Sequence, residues 1–259
     1  MPGTEPRPRG VESVDRKEFA PRMEHRFLVS EEIARLALRT AASHLDISRD
    51  DRPYQWSTTT YCDTYDWSIY RAAEKGQALR LRLREYDRTR PREALGGNPV
   101  WIELKDDNEE MSRKERFAVS PTTVPAFLRG EDVLPNEADD LVEGARDLLR
   151  RGARPVVVTQ YNRLAYAAAR DVIRITADHN LMYIALPWDS NQDGAVPRKL
   201  GPVLAREADV ILEMKWVETL PDWAADLLAW LRQSSPDRRP SKFVVAMRHL
   251  LGTSQVRAS

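Results

Sequence analysis

Charged and aliphatic residues alternate strictly in one segment of the chain, residues 79–86, which reads LRLRLREY. Successive side chains of a β-strand point to opposite faces, so Arg80, Arg82 and Arg84 share one face and the leucines share the other. An isolated segment of this kind usually has its charged face in water. The pattern therefore predicts an amphipathic strand but does not by itself predict a site.

The same alternation recurs in six further segments, and this recurrence changes the interpretation. Their evenly spaced polar residues are Glu24 and Arg26, Glu103 and Lys105, Lys114 and Arg116, Tyr161 and Arg163, Arg174, Thr176 and Asp178, and Glu213 and Lys215. Several such strands can close into a barrel with a polar interior and an aliphatic outer face covered by helices. An interior lined by cations indicates a ligand with many negative charges.

The periodicity predicts one domain of strands and helices. Strands are predicted over residues 22–29, 54–63, 79–86, 100–105, 111–119, 155–168, 171–178, 181–185 and 209–218. Helices are predicted over residues 30–45, 121–129, 137–151 and 241–250, with another starting at Pro221 and a short one capped by Asp66. Residues 188–202 are predicted to form a loop. The domain is predicted to span residues 21–252. Residues 1–20 lack periodicity and are predicted to be a disordered N-terminal tail, and residues 253–259 are predicted to be a C-terminal tail.

Composition limits the kind of partner. Lys and Arg together number 40, as do Asp and Glu, so nucleic-acid binding driven by net positive charge is not expected. A single cysteine, Cys62, excludes an internal disulfide and a cysteine-cluster metal site. The sequence contains no apolar run of membrane-spanning length and no secretory signal segment. We therefore expect a cytoplasmic protein without a membrane segment; membrane-protein partners and the oligomeric state stay open.

Several familiar motifs are absent, including a Walker A loop, a dinucleotide glycine fingerprint, HExxH and a serine-hydrolase elbow. Cations and carboxylates at strand spacing remain, and phosphoryl transfer needs little else: positioned phosphates, neutralised charge and a divalent metal. Glu24, Glu103, Asp178 and Glu213 are candidate ligands for Mg²⁺ or Mn²⁺, which prefer oxygen. Taken alone, each of these carboxylates is more often the ion-pair partner of a neighbouring arginine, least so for Glu213.

Nine short motifs occur in an order that resembles a known family. They are Glu24-x-Arg26, Tyr61-Cys62-Asp63-Thr64, Arg82-x-Arg84-x-Tyr86, Glu103-x-Lys105, Lys114, Tyr161-Asn162-Arg163, Arg174 to Asp178, Glu213-x-Lys215 and Ser241-Lys242-Phe243. From about residue 22 to 250 the chain resembles the VTC domain. This is the polyphosphate polymerase domain of the vacuolar transporter chaperone complex, in the CYTH and triphosphate tunnel metalloenzyme superfamily.

The resemblance implies an α+β fold: an antiparallel eight-stranded β-tunnel with a charged interior and helices packed outside. It also implies synthesis of inorganic polyphosphate from ATP with Mn²⁺ or Mg²⁺. The implied catalytic residues are Arg82, Arg84, Lys105, Arg163, Arg174 and Lys242. The implied substrate-binding residues are Arg26, Arg80, Lys114, Arg116, Tyr161 and Lys215. Glu213 matches the metal-binding glutamate, with Glu24 and Asp178 as further candidates. Arg26 departs from the family, which usually has lysine there.

Three hypotheses for function follow. The first is an ATP-dependent polyphosphate polymerase, the second a metal-dependent triphosphatase or polyphosphatase, and the third a non-catalytic module that binds polyphosphate. The related hydrolases resemble Glu-x-Glu-x-Lys in their first strand, whereas this chain reads Arg22-x-Glu24-x-Arg26 and lacks one acid. The binding module would be favoured if Glu213 were held in an ion pair with an arginine. We favour the polymerase.

Overall fold

The structure is a computed structural model of the 259-residue chain. It describes residues 16–18, 23–47, 54–97, 99–108, 111–131, 140–168, 172–187, 198–217, 219–235 and 240–252. The side chains of 16–18, 107–108, 111–114, 140 and 141 also lie outside this description.

Within the described residues, eleven antiparallel strands form one sheet. They are Arg16–Glu18 (β1), Met23–Val29 (β2), Asp46–Ile47 (β3), Gln55–Asp63 (β4), Leu79–Asp87 (β5), Val100–Asn108 (β6), Met111–Val119 (β7), Arg154–Ala167 (β8), Ile173–Ala185 (β9), Val203–Arg206 (β10) and Val210–Trp216 (β11). Their order is β1-β7-β6-β5-β4-β8-β9-β11-β2, with β3 beside β8 and β10 beside β9. The eight long strands confirm the predicted fold class, and β1, β3 and β10 are short additions.

The sheet curls until its two ends approach each other. Among the described residues no ladder joins β2 to β1 or β7, so the hydrogen bonding is open there. Nevertheless the ammonium of Lys105 on β6 acts on the carboxyl of Glu24 on β2, although five strands separate them in the sheet. In addition, only five peptide bonds separate Glu18 in β1 from Met23 in β2, a span of at most about 18 Å. The inner face therefore curls into a tunnel that no ladder closes among the described residues.

Six helices of the described part of the chain lie outside or at one end of the sheet. They are Glu31–Ala42 (α1), Ser68–Glu74 (α2), Val124–Leu128 (α3), Asp140–Arg150 (α4), Asp222–Ser234 (α5) and Lys242–Leu250 (α6). Ser30 caps α1 by accepting a hydrogen bond from the Ile33 amide, with Glu31 and Glu32 in the first turn, as the sequence predicts. None of the described helices combines the length and apolarity needed to span a bilayer.

The aliphatic face of the alternation forms the core. Leu81, Leu83 and Leu104 are fully buried with side chains of α3 and α4, while Ile175 packs in a second cluster with side chains of α1 and α5. Burying one such side chain is favourable by about 1.5–3 kcal/mol. This burial determines which face of each strand lies outward, so the charged positions between the leucines face the tunnel.

Four details differ from the sequence prediction. Residues 16–18, assigned to a disordered tail, pair with β7; the rest of residues 1–20 lies outside the described residues. The predicted strands 171–178 and 181–185 are one strand, β9, in which Asn180 adopts a positive φ of 54° beside a register shift. Strands β3 and β10 were not predicted, and the N-cap position of α2 is Trp67 rather than Asp66. Instead the buried Asp63 accepts hydrogen bonds from the Ile69 and Tyr70 amides at the start of that helix and from the Thr64 amide next to it.

Candidate functional site: the charged tunnel

Strand register brings the predicted site residues onto one face. Across β5, β6 and β7, Arg82 lies opposite Glu103, which lies opposite Arg116. In the next row Arg80 lies opposite Lys105, which lies opposite Lys114, whose side chain is outside the described part. On the other wall two rows cross β2, β11 and β9: Arg26, Glu213 and Thr176, then Glu24, Lys215 and Arg174.

The first group of contacts is centred on Glu103, whose side chain is fully buried. Arg82 donates to Glu103 Oε2 at 2.7 Å, and Arg84 Nη1 lies 3.6 Å from the same oxygen. Arg84 also donates from Nε to Thr59 Oγ1 at 3.0 Å. One carboxylate thus orients two arginines, which favours its ion-pair interpretation over that of a metal ligand.

The second group is a ring of four charges on the opposite wall. Arg26 contacts Glu24 Oε1 at 2.5 Å and Glu213 Oε1 at 3.0 Å. Lys215 Nζ closes the ring, at 3.1 Å from Glu24 Oε2 and 3.4 Å from Glu213 Oε2. The two carboxylates therefore share two cations, and Glu213 is held in an ion pair with an arginine.

The third group lies where α6 reaches the sheet. Arg163 makes a two-pronged contact with Asp178, at 2.5 Å and 2.7 Å, and Lys242 Nζ lies 2.6 Å from Asp178 Oδ2. Ser241 caps α6 by accepting from the Val244 amide, and Phe243 stacks on Tyr61 at 5.2 Å. This cap and this ring contact fix Lys242 at the first helical position, where its charge enters the tunnel. The partly positive helix N-terminus adds to the same potential.

Tyr161 connects the third group to the first. Its ring lies 5.1 Å from the Arg163 guanidinium and 4.9 Å from Lys242 Nζ. Burial raises the pKa of the Tyr161 hydroxyl, but the charges of Arg163, Arg84 and Lys242 outweigh burial and lower it. The phenol therefore lies in a positive field, to which Arg84 of the first group and Arg163 and Lys242 of the third group contribute.

The acids of the tunnel are ionised. Burial raises the pKa of Glu24, as does neighbouring Glu213, but Lys215, Arg26 and Lys105 together lower it to about 2. Burial likewise opposes the charge of Glu213, yet Lys215, Arg26 and Lys242 hold its pKa well below the ordinary value. For Asp178, Arg163 and Lys242 outweigh burial and lower the pKa in the same way. All three carboxylates are negative at neutral pH.

Even so, cations outnumber acids on this inner face. The described residues place ten cationic side chains on this face. They exceed by six the four carboxylates there, Glu24, Glu103, Asp178 and Glu213. The ten are Arg26, Arg80, Arg82, Arg84, Lys105, Arg116, Arg163, Arg174, Lys215 and Lys242. The cations in excess repel one another, and inside a protein this repulsion is only weakly screened. The arrangement therefore favours a polyanionic ligand, whose negative charges would offset the repulsion.

Three buried hydroxyls on the same face supplement these charges. Ser57, Thr159 and Thr176 have hydroxyl oxygens without a hydrogen-bond partner in the described structure. A buried polar group usually has a partner, and an entering phosphate oxygen would accept from each of them. From the sequence, Thr176 was already placed among the evenly spaced polar residues, but Ser57 and Thr159 were missed, as was Thr59 beside Arg84. The signal for Ser57 and Thr59 was the period-two row Ser57, Thr59, Tyr61, which we assigned only to a strand.

The carboxylates of the tunnel could bind a divalent ion only if substrate phosphates supplied further oxygen ligands. The described residues contain no group of three or more His, Cys, Asp or Glu side chains that could hold a metal. Asp178 has Arg163 and Lys242 on its two oxygens, whereas Glu24 and Glu213 lie close enough to share Arg26 and Lys215. Mg²⁺ and Mn²⁺ sites commonly combine one or two carboxylates with substrate phosphates. Glu213 and Glu24 fit such a site, and Asp178 fits it least.

Solved structures resemble the chain only weakly, and no curated protein matches it. A "putative adenylate cyclase" from Bacillus halodurans aligns with a TM-score of 0.47 and 13% identity, over 85% of this chain and 92% of that one. The protein PH1819 from Pyrococcus horikoshii aligns with a TM-score of 0.42 and 13% identity, over 90% and 99%. These scores are too low to carry an argument about function.

The family comparison is decisive about membership. The model of the VTC domain matches residues 21–251, which is nearly the whole of the described structure. The chain therefore belongs to the VTC domain family.

Proposed function

We propose that this protein binds a linear chain of phosphates along its tunnel and transfers the terminal phosphate of ATP onto that chain. The observation that carries the proposal is the excess of six cations over carboxylates on the inner face of the sheet. Membership of the VTC domain family supports a polyphosphate-related role. The specific reaction, polymerisation, is our inference.

Binding follows from the three groups of contacts. Each arginine that now contacts a carboxylate has a planar fork that matches phosphate oxygens equally well. An entering phosphate next to Arg82, Arg84 and Arg163 takes up their remaining donors while Glu103 and Asp178 keep the guanidinium planes oriented. Lys242 and Lys215 act as point charges, and the buried hydroxyls supply neutral donors. Positioning and charge neutralisation are what phosphoryl transfer requires of a protein.

Transfer also needs charge compensation on the phosphates that react. A Mn²⁺ or Mg²⁺ held by Glu213 and Glu24 would neutralise charge on the transferred and leaving groups. Arg26 and Lys215 keep both carboxylates ionised and hold them close together. Lys242, at the end of the tunnel reached by α6, would hold a terminal phosphate of ATP or of the growing chain.

A second candidate function is favoured by one specific observation. Glu213 accepts from Arg26 Nε at 3.0 Å, the ion pair that we set as the sign of a non-catalytic binding module. A module of this kind would bind polyphosphate through the same cations and would have no turnover. The binding proposal is common to both candidates, whereas transfer belongs only to the first.

The test is incubation of purified protein with ATP and either Mn²⁺ or Mg²⁺, scored for ADP, free phosphate and long-chain polyphosphate. The polymerase predicts ADP together with polyphosphate, and little free phosphate. ADP with an equal amount of free phosphate would instead indicate the triphosphatase, and no ADP at all would indicate the binding module. Either result would overturn the proposed transfer.

The variant Glu213→Gln sharpens this test because it keeps the shape of the side chain and removes its charge. It should lose most metal-dependent turnover, by about 100-fold or more for a group that stabilises the transition state, yet still bind polyphosphate. Glu131→Gln, at an exposed ion pair with Arg129, is the matched control and should turn over as wild type does. Full activity of Glu213→Gln with an unchanged metal requirement would place the metal elsewhere.

A further inference from the structure

A cluster of exposed cations lies outside the tunnel, on two loops that are hydrogen-bonded to each other. Residues 88–92 follow β5 and carry Arg88, Arg90 and Arg92; residues 198–199 precede β10 and carry Arg198 and Lys199. All five are exposed, and none forms an ion pair with a described residue. These segments contain no acid, and Asp87 and Glu93 flank the first of them, so positive charge dominates. We call this surface the outer basic patch.

Hydrogen bonds hold the two loops in place. An isolated bridge pairs Glu93 with Lys199, and the Ala94 amide donates to the Arg198 carbonyl at 2.8 Å. The buried carboxylate of Glu85 accepts the Leu95 and Gly97 amides at 2.6 Å and 2.5 Å. These contacts fix the loop against the outer face of β5, so the backbone that carries these arginines has a defined position.

Arg90 is oriented by a buried glutamine. Gln160 is fully buried on the outer side of β8 and accepts from Arg90 Nε at 3.2 Å. Its amide nitrogen donates to the Pro91 carbonyl at 3.0 Å and to Thr58 Oγ1 at 3.3 Å. Gln160 therefore fixes both the backbone and the guanidinium of this loop, while the two Nη groups of Arg90 bind no described residue. A guanidinium held in this way loses less entropy when it binds a ligand.

Beside this arginine is a cavity of about 340 Å³, lined by Arg90, Pro91, Arg92 and Leu200. Its volume lies in the lower range for small-ligand sites. The lining combines two guanidinium groups with two apolar side chains and contains no acid. Arginine forks bind phosphate oxygens in pairs, and they are preferred where planar recognition of phosphate matters.

We propose that this cavity is a second anion site that takes the phosphate groups of a phosphorylated ligand. It lies on the opposite side of β8 from Tyr161 and Thr159, so it is separate from the tunnel and does not depend on the proposed reaction. The ligand is either a part of a polyphosphate chain outside the tunnel or a small phosphorylated molecule such as a nucleotide. Both present the same chemistry, a phosphate with accessible oxygens.

Calorimetric titration of the full chain with inorganic tripolyphosphate tests the proposal. Wild type should show two classes of site, and Arg90→Ala/Arg92→Ala should lose one class or bind there about tenfold more weakly, as expected for lost charge-assisted contacts. Arg150→Ala/Arg151→Ala, which removes two exposed arginines of the α4 end, should keep both classes. The tunnel variant Arg82→Ala/Arg84→Ala should keep the outer class. Two undiminished classes in Arg90→Ala/Arg92→Ala would overturn the proposal.

Titrations with long-chain polyphosphate, and with ATP or pyrophosphate, identify the source of the phosphate. If the site takes a polyphosphate chain, the Arg90→Ala/Arg92→Ala variant should lose about tenfold or more in affinity for long chains, since one molecule then engages both sites. If it takes a small molecule, the loss should be seen with ATP or pyrophosphate and no additional loss should occur with long chains. No loss with any of these ligands means that the outer basic patch is not a phosphate site.

Discussion

Replacement of Asp178 by asparagine tests the internal electrostatics of the tunnel. Asp178 is fully buried, and its carboxylate is the shared partner of Arg163 and Lys242 at 2.5–2.7 Å. An asparagine side chain at this position would keep the shape but remove the negative charge between two buried cations. The change therefore leaves two positive charges close together without their main compensation.

The magnitude follows from the burial of all three groups. The side chains of Arg163 and Lys242 are only 16% and 8% exposed, so water compensates little of the lost charge. Removing one partner of a buried ion pair typically destabilises a protein by about 3–5 kcal/mol. Arg163 keeps a longer contact to Glu213 at 3.7 Å, so we expect about 3 kcal/mol, the lower end of that range.

Urea unfolding of Asp178→Asn against wild type measures this loss. The control is Asp147→Asn, whose exposed partner Arg151 lies 3.6 Å away, and which should change stability by less than about 1 kcal/mol. Tripolyphosphate should stabilise Asp178→Asn more than wild type, because the ligand then supplies the missing negative charge; tenfold tighter binding adds about 1.4 kcal/mol at saturating ligand. A loss no larger than that of the control, or no extra stabilisation by ligand, would refute this reasoning.

The remaining predictions concern binding, turnover and pH. Arg82→Ala and Arg84→Ala should each weaken tripolyphosphate binding in the tunnel by about 1.5–3 kcal/mol, and calorimetry showing unchanged affinity would remove both from the site. Lys242→Ala should lower turnover while circular dichroism shows an intact fold, and full turnover would mean that this lysine does not act in the reaction. The folded-state pKa of Glu24, about 2, lies below its ordinary 4.5. Glu24 therefore contributes stability above about pH 4.5 that is lost as the pH falls toward 2, and Glu24→Gln should lessen the acid loss in urea titrations between about pH 5 and pH 3.

Strand periodicity made the inner face predictable from the sequence. Period-two alternation assigns each side chain to a face, so Arg82, Arg163 and Lys215 could be placed inside before any partner was known. Their roles in binding and catalysis stay predictions. The side chain of Lys114, which we also assigned to substrate binding, lies outside the described residues.

Contact partners were harder to predict because they depend on register and on docking. That Glu103 lies opposite Arg82 follows from the pairing of β5 and β6, which alternation alone does not determine. The contact of Lys242 with Asp178 requires α6 to dock at one end of the sheet, 64 residues away along the chain. The role of Gln160 requires the loop after β5 to fold back over the outer face. These features are tertiary, and no local pattern encodes them.

A crystal structure of the protein with tripolyphosphate and Mn²⁺ would show whether a chain of phosphates lies inside the tunnel. We predict phosphate density between Arg82 and Arg84 on one wall and Arg163 and Lys242 on the other, with Mn²⁺ bound between that density and Glu213. A crystal grown at saturating tripolyphosphate in which these four side chains contact no phosphate would show that the tunnel is not the phosphate-binding site.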